Sequence, residues 1–174
     1  MAKLLKKNRY IFGLLIIVIN LFCIIFLLGN KSSDVDLTSA MTSSNYIVLI
    51  LNNLYILYIY IKTKKIKSIY DKLICRLGKR KFFSNYIINC ILDIIVYFII
   101  IYIPIYLKFG VNLSYINFLI IFIFLNFFCF IFEELISMLV FITKNGSKYI
   151  IIPISINLLF YYYLVPIIIG QLIH

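Results

Sequence analysis

Five apolar runs, each close to the length needed to cross a bilayer, decide most of what this chain can become. The first, Ile11 to Gly29, has Asn20 as its one strong polar interruption. At about 1.5 Å per residue such a run nearly crosses a hydrocarbon core about 30 Å thick. It is long for the apolar region of a secretory signal, and Thr38-Ser39-Ala40 comes too late to be its cleavage site. The other runs cover about 41–61, 86–107, 113–142 and 149–173. Of the 174 residues 64% are hydrophobic and 13% charged, about half the charged fraction of an ordinary soluble domain. The expectation is an all-α polytopic membrane protein, one transmembrane domain over 1–174 with about five spans. Lipid is its solvent.

A net charge of +11 would suggest nucleic acid in a soluble protein. Here the charge sits at the ends of apolar runs, where the positive-inside rule accounts for it, so no nucleic-acid partner is expected. With the N-terminus inside, fifteen of the seventeen Lys and Arg residues fall on inner segments: residues 3–9, the polar stretch 62–85 and the turn 143–148. Only Lys31 and Lys108 fall outside, in the segments 30–45 and 108–112. This topology ends outside after five crossings. The excess of Ile, Asn, Lys, Tyr and Phe over Ala, Gly and Arg is that of an AT-rich genome, which points to a bacterial cytoplasmic membrane.

Catalytic chemistry finds little support. The one histidine is His174, so Ser and Cys nucleophiles have no partnered base. Glu133-Glu134 resembles the Glu-Glu motif of membrane-embedded CAAX-type proteases. That motif needs an arginine where this chain has Met138, and intramembrane histidines that are absent here. Gly78-Lys79 lacks the preceding glycine-rich turn of a phosphate loop. Cys23, Cys75, Cys90 and Cys129 show neither disulfide-framework nor zinc spacing. No enzyme activity, cofactor or metal is expected of this chain.

Polar residues within the apolar runs are more informative, because they are costly in lipid. Tyr86, Asn89, Asp93 and Tyr97 recur at helical spacing and share one face. That face is either a polar strip along a pathway or a set of interhelical bonds, with Asp93 paired to a snorkelling lysine. Asn52, Asn53, Asn126 and Asn157 with Tyr161 read as interhelical packing bonds. Glu133 and Glu134 mark the inner end of the fourth span, within reach of the basic stretch.

The segment 62–85 has a texture that charge alone does not explain. Ile66, Ile69, Tyr70, Leu73, Ile74 and Leu77 form an amphipathic stripe, and Gly78 reads as its stop. The order that follows, Arg76-Leu-Gly78-Lys-Arg80-Lys81-Phe82-Phe83, resembles the start of the third span in small permease subunits of type-2 ABC exporters from low-GC Gram-positive bacteria. That resemblance implies a coupling helix between spans 2 and 3 that docks on a separate ATP-hydrolysing subunit. Ile69, Tyr70, Ile74, Arg76 and Gly78 would form the contact, and a second permease copy or a homologous permease would complete the path. The cargo would be a peptide or a hydrophobic small molecule. The alternative is a non-transporting scaffold, accessory or immunity protein whose basic loop binds anionic membrane lipid.

Overall fold

The computed structural model describes residues 2–26, 47–110, 116–141 and 149–167, and every element among them is helical. Helix α1 spans Ala2–Phe26. A π-helical turn, Ile47–Asn52, runs into α2, Asn53–Lys67. Then come the short α3, Tyr70–Leu77, and the long α4, Lys79–Phe109. Helix α5, Ile116–Ser137, tightens into a 3-10 turn at Met138–Phe141. Helix α6, Ile151–Leu159, passes into a second π turn, Phe160–Leu164.

The helices overrun the apolar runs. Helix α1 starts at Ala2 instead of Ile11, α2 continues past Ile61 to Lys67, and α4 starts at Lys79 instead of Tyr86. Lys and Arg are good helix formers, and their long stems let the charge reach water from a helix that has not yet ended. Hydropathy marks where a helix enters an apolar medium; it does not mark where the helix stops. The expected polar loop 62–85 is therefore helical, apart from a turn at Ser68-Ile69 and the break at Gly78. The polar segment 30–45 expected outside, the turn 143–148 expected inside, and the end residues of the expected spans 11–29, 41–61, 113–142 and 149–173 lie outside the described residues.

Gly78 has φ 77° and ψ 152°, a conformation nearly reserved for glycine. It joins two helices: its N–H donates to the Ile74 carbonyl at 2.8 Å, closing α3, and its carbonyl accepts the Phe82 N–H at 3.1 Å, opening α4. Pro153 lies in the first turn of α6, where the missing N–H costs nothing. The kink expected at Pro166 takes the form of the π turn just before it, with the Val165 N–H donating to the Phe160 carbonyl.

Helix α2 lies at the centre. It packs on α5 with its 3-10 turn and on α6, while α1 and α5 pack on α4. The main core joins Ile16, Tyr55, Ile59, Ile94, Tyr97, Ile101, Phe122 and Phe130. Tyr55 stacks on Tyr97 at 4.3 Å and meets Phe130 edge-on at 5.3 Å. A second cluster joins Ile66, Phe82, Tyr86, Cys90 and Phe141.

The outward faces are apolar. Ile88, Leu92, Ile95, Ile99 and Ile103 of α4 are exposed, as are Ile120, Phe124, Phe128 and Phe132 of α5. Among the described residues two helices are long and apolar enough to cross a membrane, Lys79–Lys108 and Ile116–Phe141. Phe12–Phe22 and Ile151–Ile167 are shorter apolar stretches of the same kind.

Candidate functional site

The molecule is polar inside where it is apolar outside. Lys62, Thr63, Asp93, Asn126, Glu133, Glu134 and Asn157 are all buried, none more than 4% exposed. Helical spacing brings them together. On α2 the buried residues are Tyr55, Ile56, Ile59, Lys62, Thr63 and Ile66, one continuous face. On α5 the corresponding face carries Phe118, Phe122, Asn126, Phe130, Glu133 and Ser137, with Glu134 beside it.

Lys62 is the hub. Its ammonium donates to Asp93 Oδ2 of α4 at 2.9 Å and lies 3.8 Å from Glu134 Oε2 of α5. Its third neighbour is the Cys90 sulfur at 3.6 Å. The Tyr86 ring sits 5.4 Å from the ammonium, within cation–π range. The Tyr55 hydroxyl donates to the other Glu134 oxygen, Oε1, at 2.8 Å. Thr63 donates its one hydroxyl proton to the Ile59 carbonyl at 2.8 Å, so at its 2.6 Å contact with Tyr86 the tyrosine is the donor. One ammonium thus faces two carboxylates, from three helices.

A second polar layer is uncharged. Tyr97 OH donates to Asn52 Oδ1 at 2.6 Å, and Asn52 Nδ2 donates to Asn157 Oδ1 at 2.9 Å, tying α4, the first π turn and α6 together. Asn126 Nδ2 donates to Tyr102 OH at 2.7 Å and to Tyr161 OH at 3.0 Å. Asn20 of α1 donates to the Ile100 and Ile101 carbonyls at 3.0 and 3.2 Å. Such bonds contribute about 0.6 kcal/mol each in a membrane bundle. Their larger effect is register: each asparagine fits one partner position. Asn52, Asn126 and Asn157 make the interhelical bonds read from the sequence, whereas Asn53 donates to the Leu49 carbonyl one turn back at 2.8 Å and accepts only a long contact from Asn157 at 3.5 Å.

Glu133 stands apart. Its Oε1 accepts a weak bond from the Cys129 thiol at 3.7 Å, and its Oε2, though buried, has no hydrogen-bond partner among the described residues. It borders a cleft of about 10 Å³ with Ser137, Tyr149 and Pro153; the cleft beside Glu134 and Cys90 is about 40 Å³. These spaces suit a water molecule or two and are too small for a substrate.

The structure brings Asp93, Tyr97 and Glu134 into the polar interior, with Glu133 at its edge. Asn89 is only half-buried, and its amide donates to the Asn85 carbonyl of its own helix at 2.7 Å. Asp93 has the lysine partner foreseen as one alternative, and the expected reach from the Glu pair to the basic stretch is met by Lys62 with Glu134. That lysine does not snorkel: it points inward and is 2% exposed. Its role was hidden by its position at the first residue of a basic run. The signal that would have found it is the α2 periodicity, since Tyr55, Ile59, Lys62 and Ile66 fall on one face.

Helix α3 divides the candidate partner contacts. Ile69 and Arg76 are exposed, as are Asp71, Lys72, Cys75 and Gly78. Tyr70 and Ile74 are half-buried against the chain itself. Tyr70 stacks on Phe141 at 5.3 Å and meets Phe82 edge-on at 5.2 Å. Ile66, Tyr70, Leu73 and Ile74 of the amphipathic stripe rest on the second core cluster of the chain itself. Among the described residues no group of three or more His, Cys, Asp or Glu side chains is placed to hold a metal. No protein-family model, curated protein or solved structure matches the chain.

Proposed function

We propose that this chain is a multi-span subunit of a bacterial cytoplasmic membrane, crossing five times with its N-terminus inside. In this reading it is the permease subunit of an ATP-driven ABC exporter and receives force from a separate ATPase through α3. The cargo is a peptide or a hydrophobic small molecule. The apolar outer faces and the charge distribution support the membrane assignment.

The observation that carries the coupling role is the wedging of α3. Tyr70 is held between Phe82 on the first turn of α4 and Phe141 in the 3-10 turn ending α5. Those two helices also hold Asp93 and Glu134, the carboxylates that face Lys62. A push on the exposed side of α3 is therefore applied to both helices that meet at the ion cluster. Packed cores respond to such a push by switching between discrete arrangements. At that cluster Lys62 faces both carboxylates, Asp93 at 2.9 Å and Glu134 at 3.8 Å.

The test is co-purification from native membranes in mild detergent. Ile69→Asp, in the turn just before α3, and Arg76→Glu, on α3, change exposed side chains and leave the Tyr70 stack alone. The wild type should bring down an ATPase subunit, and both variants should lose it at normal abundance. Retention by both variants would remove α3 as the contact.

A second reading has its own support. The clefts beside Glu133 and Glu134 admit a water molecule or two and are too small for a cargo. A scaffold, accessory or immunity protein that works by holding anionic lipid or another membrane protein needs none. Function in a strain lacking any partner ATPase would favour this second reading.

A further inference from the structure

A groove of about 280 Å³ runs along the outside of the bundle between α1 and α2. Phe12 and Leu15 of α1 form one wall; Leu54, Leu57, Tyr58, Ile61, Lys62 and Lys65 of α2 form the other. The α2 residues recur every three or four positions, so they make one straight stripe along the helix. The stripe is apolar until its end, where Lys65 is exposed. Lys62 lines the groove too, but its ammonium is engaged by Asp93. Phe12 stacks on Tyr58 at 4.1 Å and fixes the floor.

Two features say what fits there. From Leu54 to Lys65 the helix rises about 16 Å, close to the depth of one leaflet's hydrocarbon, half of about 30 Å. The cation lies at one end only. A slot as deep as one leaflet with positive charge at its mouth is complementary to an amphiphile with one long chain in the slot and an anionic head. We propose that the α1–α2 groove is a binding site for an acyl chain of an anionic phospholipid of the inner leaflet, its phosphate held by Lys65. The site rests on the membrane assignment above and not on the ATPase contact, since neither α1 nor Lys65 belongs to α3.

The chain contains no tryptophan, so a single introduced indole reports on its surroundings without background. Leu57→Trp places it in the groove; Ile99→Trp places it on the outward face of α4, away from the groove. Each variant is reconstituted in phosphatidylcholine vesicles containing a small fraction of lipid brominated on the acyl chain, either phosphatidylglycerol or phosphatidylcholine. Leu57→Trp should be quenched by the brominated phosphatidylglycerol with about fivefold higher apparent affinity, the factor equivalent to about 1 kcal/mol for one well-placed lysine. Ile99→Trp should show no preference, and Lys65→Gln in the Leu57→Trp background should abolish it. Equal quenching by both lipids at Leu57→Trp would overturn the site. So would protection from both lipids, which would mean that a second copy of the chain covers the groove. The reconstituted chain carries no ATPase, so the lipid preference is read separately from the coupling role, which the co-purification tests.

Discussion

Replacing Lys62 by Met leaves a slightly shorter apolar side chain and removes the cation that faces the buried carboxylates Asp93 and Glu134. The lysine is bonded to Asp93 at 2.9 Å and lies 3.8 Å from Glu134, with both carboxylate side chains 3% exposed. Removing one partner of a buried pair costs about 3–5 kcal/mol, because the other charge stays behind without compensation. Lys62→Met leaves two charges behind, so the loss should fall near the upper end, about 5 kcal/mol. Asp93→Asn should cost less, about 3 kcal/mol, because Lys62 retains Glu134 and the asparagine carbonyl can still accept its proton. The double variant Lys62→Met with Asp93→Leu should be more stable than Lys62→Met alone, since it leaves one carboxylate instead of two. That carboxylate, Glu134, keeps its bond from Tyr55. The assay is equilibrium unfolding in mixed micelles, followed by far-UV circular dichroism, at one fixed pH. A Lys62→Met variant within about 1 kcal/mol of wild type, the range of an exposed pair, would refute the buried cluster. A double variant less stable than the single would refute the coupling.

Three further outcomes follow from single residues. Gly78→Ala should cost about 1–3 kcal/mol in the same unfolding assay through backbone strain alone, because a Cβ there meets nothing within 4 Å; a neutral substitution would mean that α3 and α4 join through a different turn. Glu133→Leu should stabilise the fold by about 1–3 kcal/mol, read as a higher thermal midpoint, because it removes a buried carboxylate oxygen that has no hydrogen-bond partner among the described residues; a fall in the midpoint would show that the carboxyl group is paired. Tyr70→Ala should increase proteolytic cutting between α2 and α4 in membranes, by releasing α3 from Phe141 and Phe82, whereas Arg76→Ala, on the exposed face, should leave it unchanged.

The composition and the apolar runs made an all-helical chain legible, because lipid leaves few other ways to satisfy a backbone. The stop at Gly78 was legible from the special backbone of glycine, the amphipathic stripe only in part: a turn at Ser68-Ile69 leaves Ile66 on α2 and puts Tyr70, Leu73, Ile74 and Leu77 on α3. The helix ends were not. Lys3 to Arg9, Lys62 to Lys67 and Lys79 to Lys81 lie inside helices that continue through them, and hydropathy cannot register that. Lys62 was hidden for the same reason. It looks like one more charge on a basic stretch, and only the face it shares with Tyr55 and Ile59 separates it from Lys64 and Lys65, which are exposed. The π turn at Ile47–Asn52 leaves no mark in the sequence either, although it carries the Asn52 that bonds Asn157 and Tyr97. Glu133 and Glu134 are adjacent and identical in type, yet among the described residues Glu134 meets Lys62 and Tyr55 while Glu133 accepts from a thiol. That difference depends on which helices lie on either side of α5.

The central claim, that α3 presents its outer face to a partner ATPase, has a direct probe already in the chain. Cys75 is an exposed free thiol on that face, whereas Cys90 is buried and Cys129 half-buried. Native membranes treated with a short thiol-to-amine crosslinker should give a covalent adduct between this chain and a nucleotide-hydrolysing subunit, and Cys75→Ser should abolish it. If Cys75 reacts fully with a soluble maleimide in those membranes, and no adduct with any ATPase forms, then α3 faces water and the coupling role is wrong.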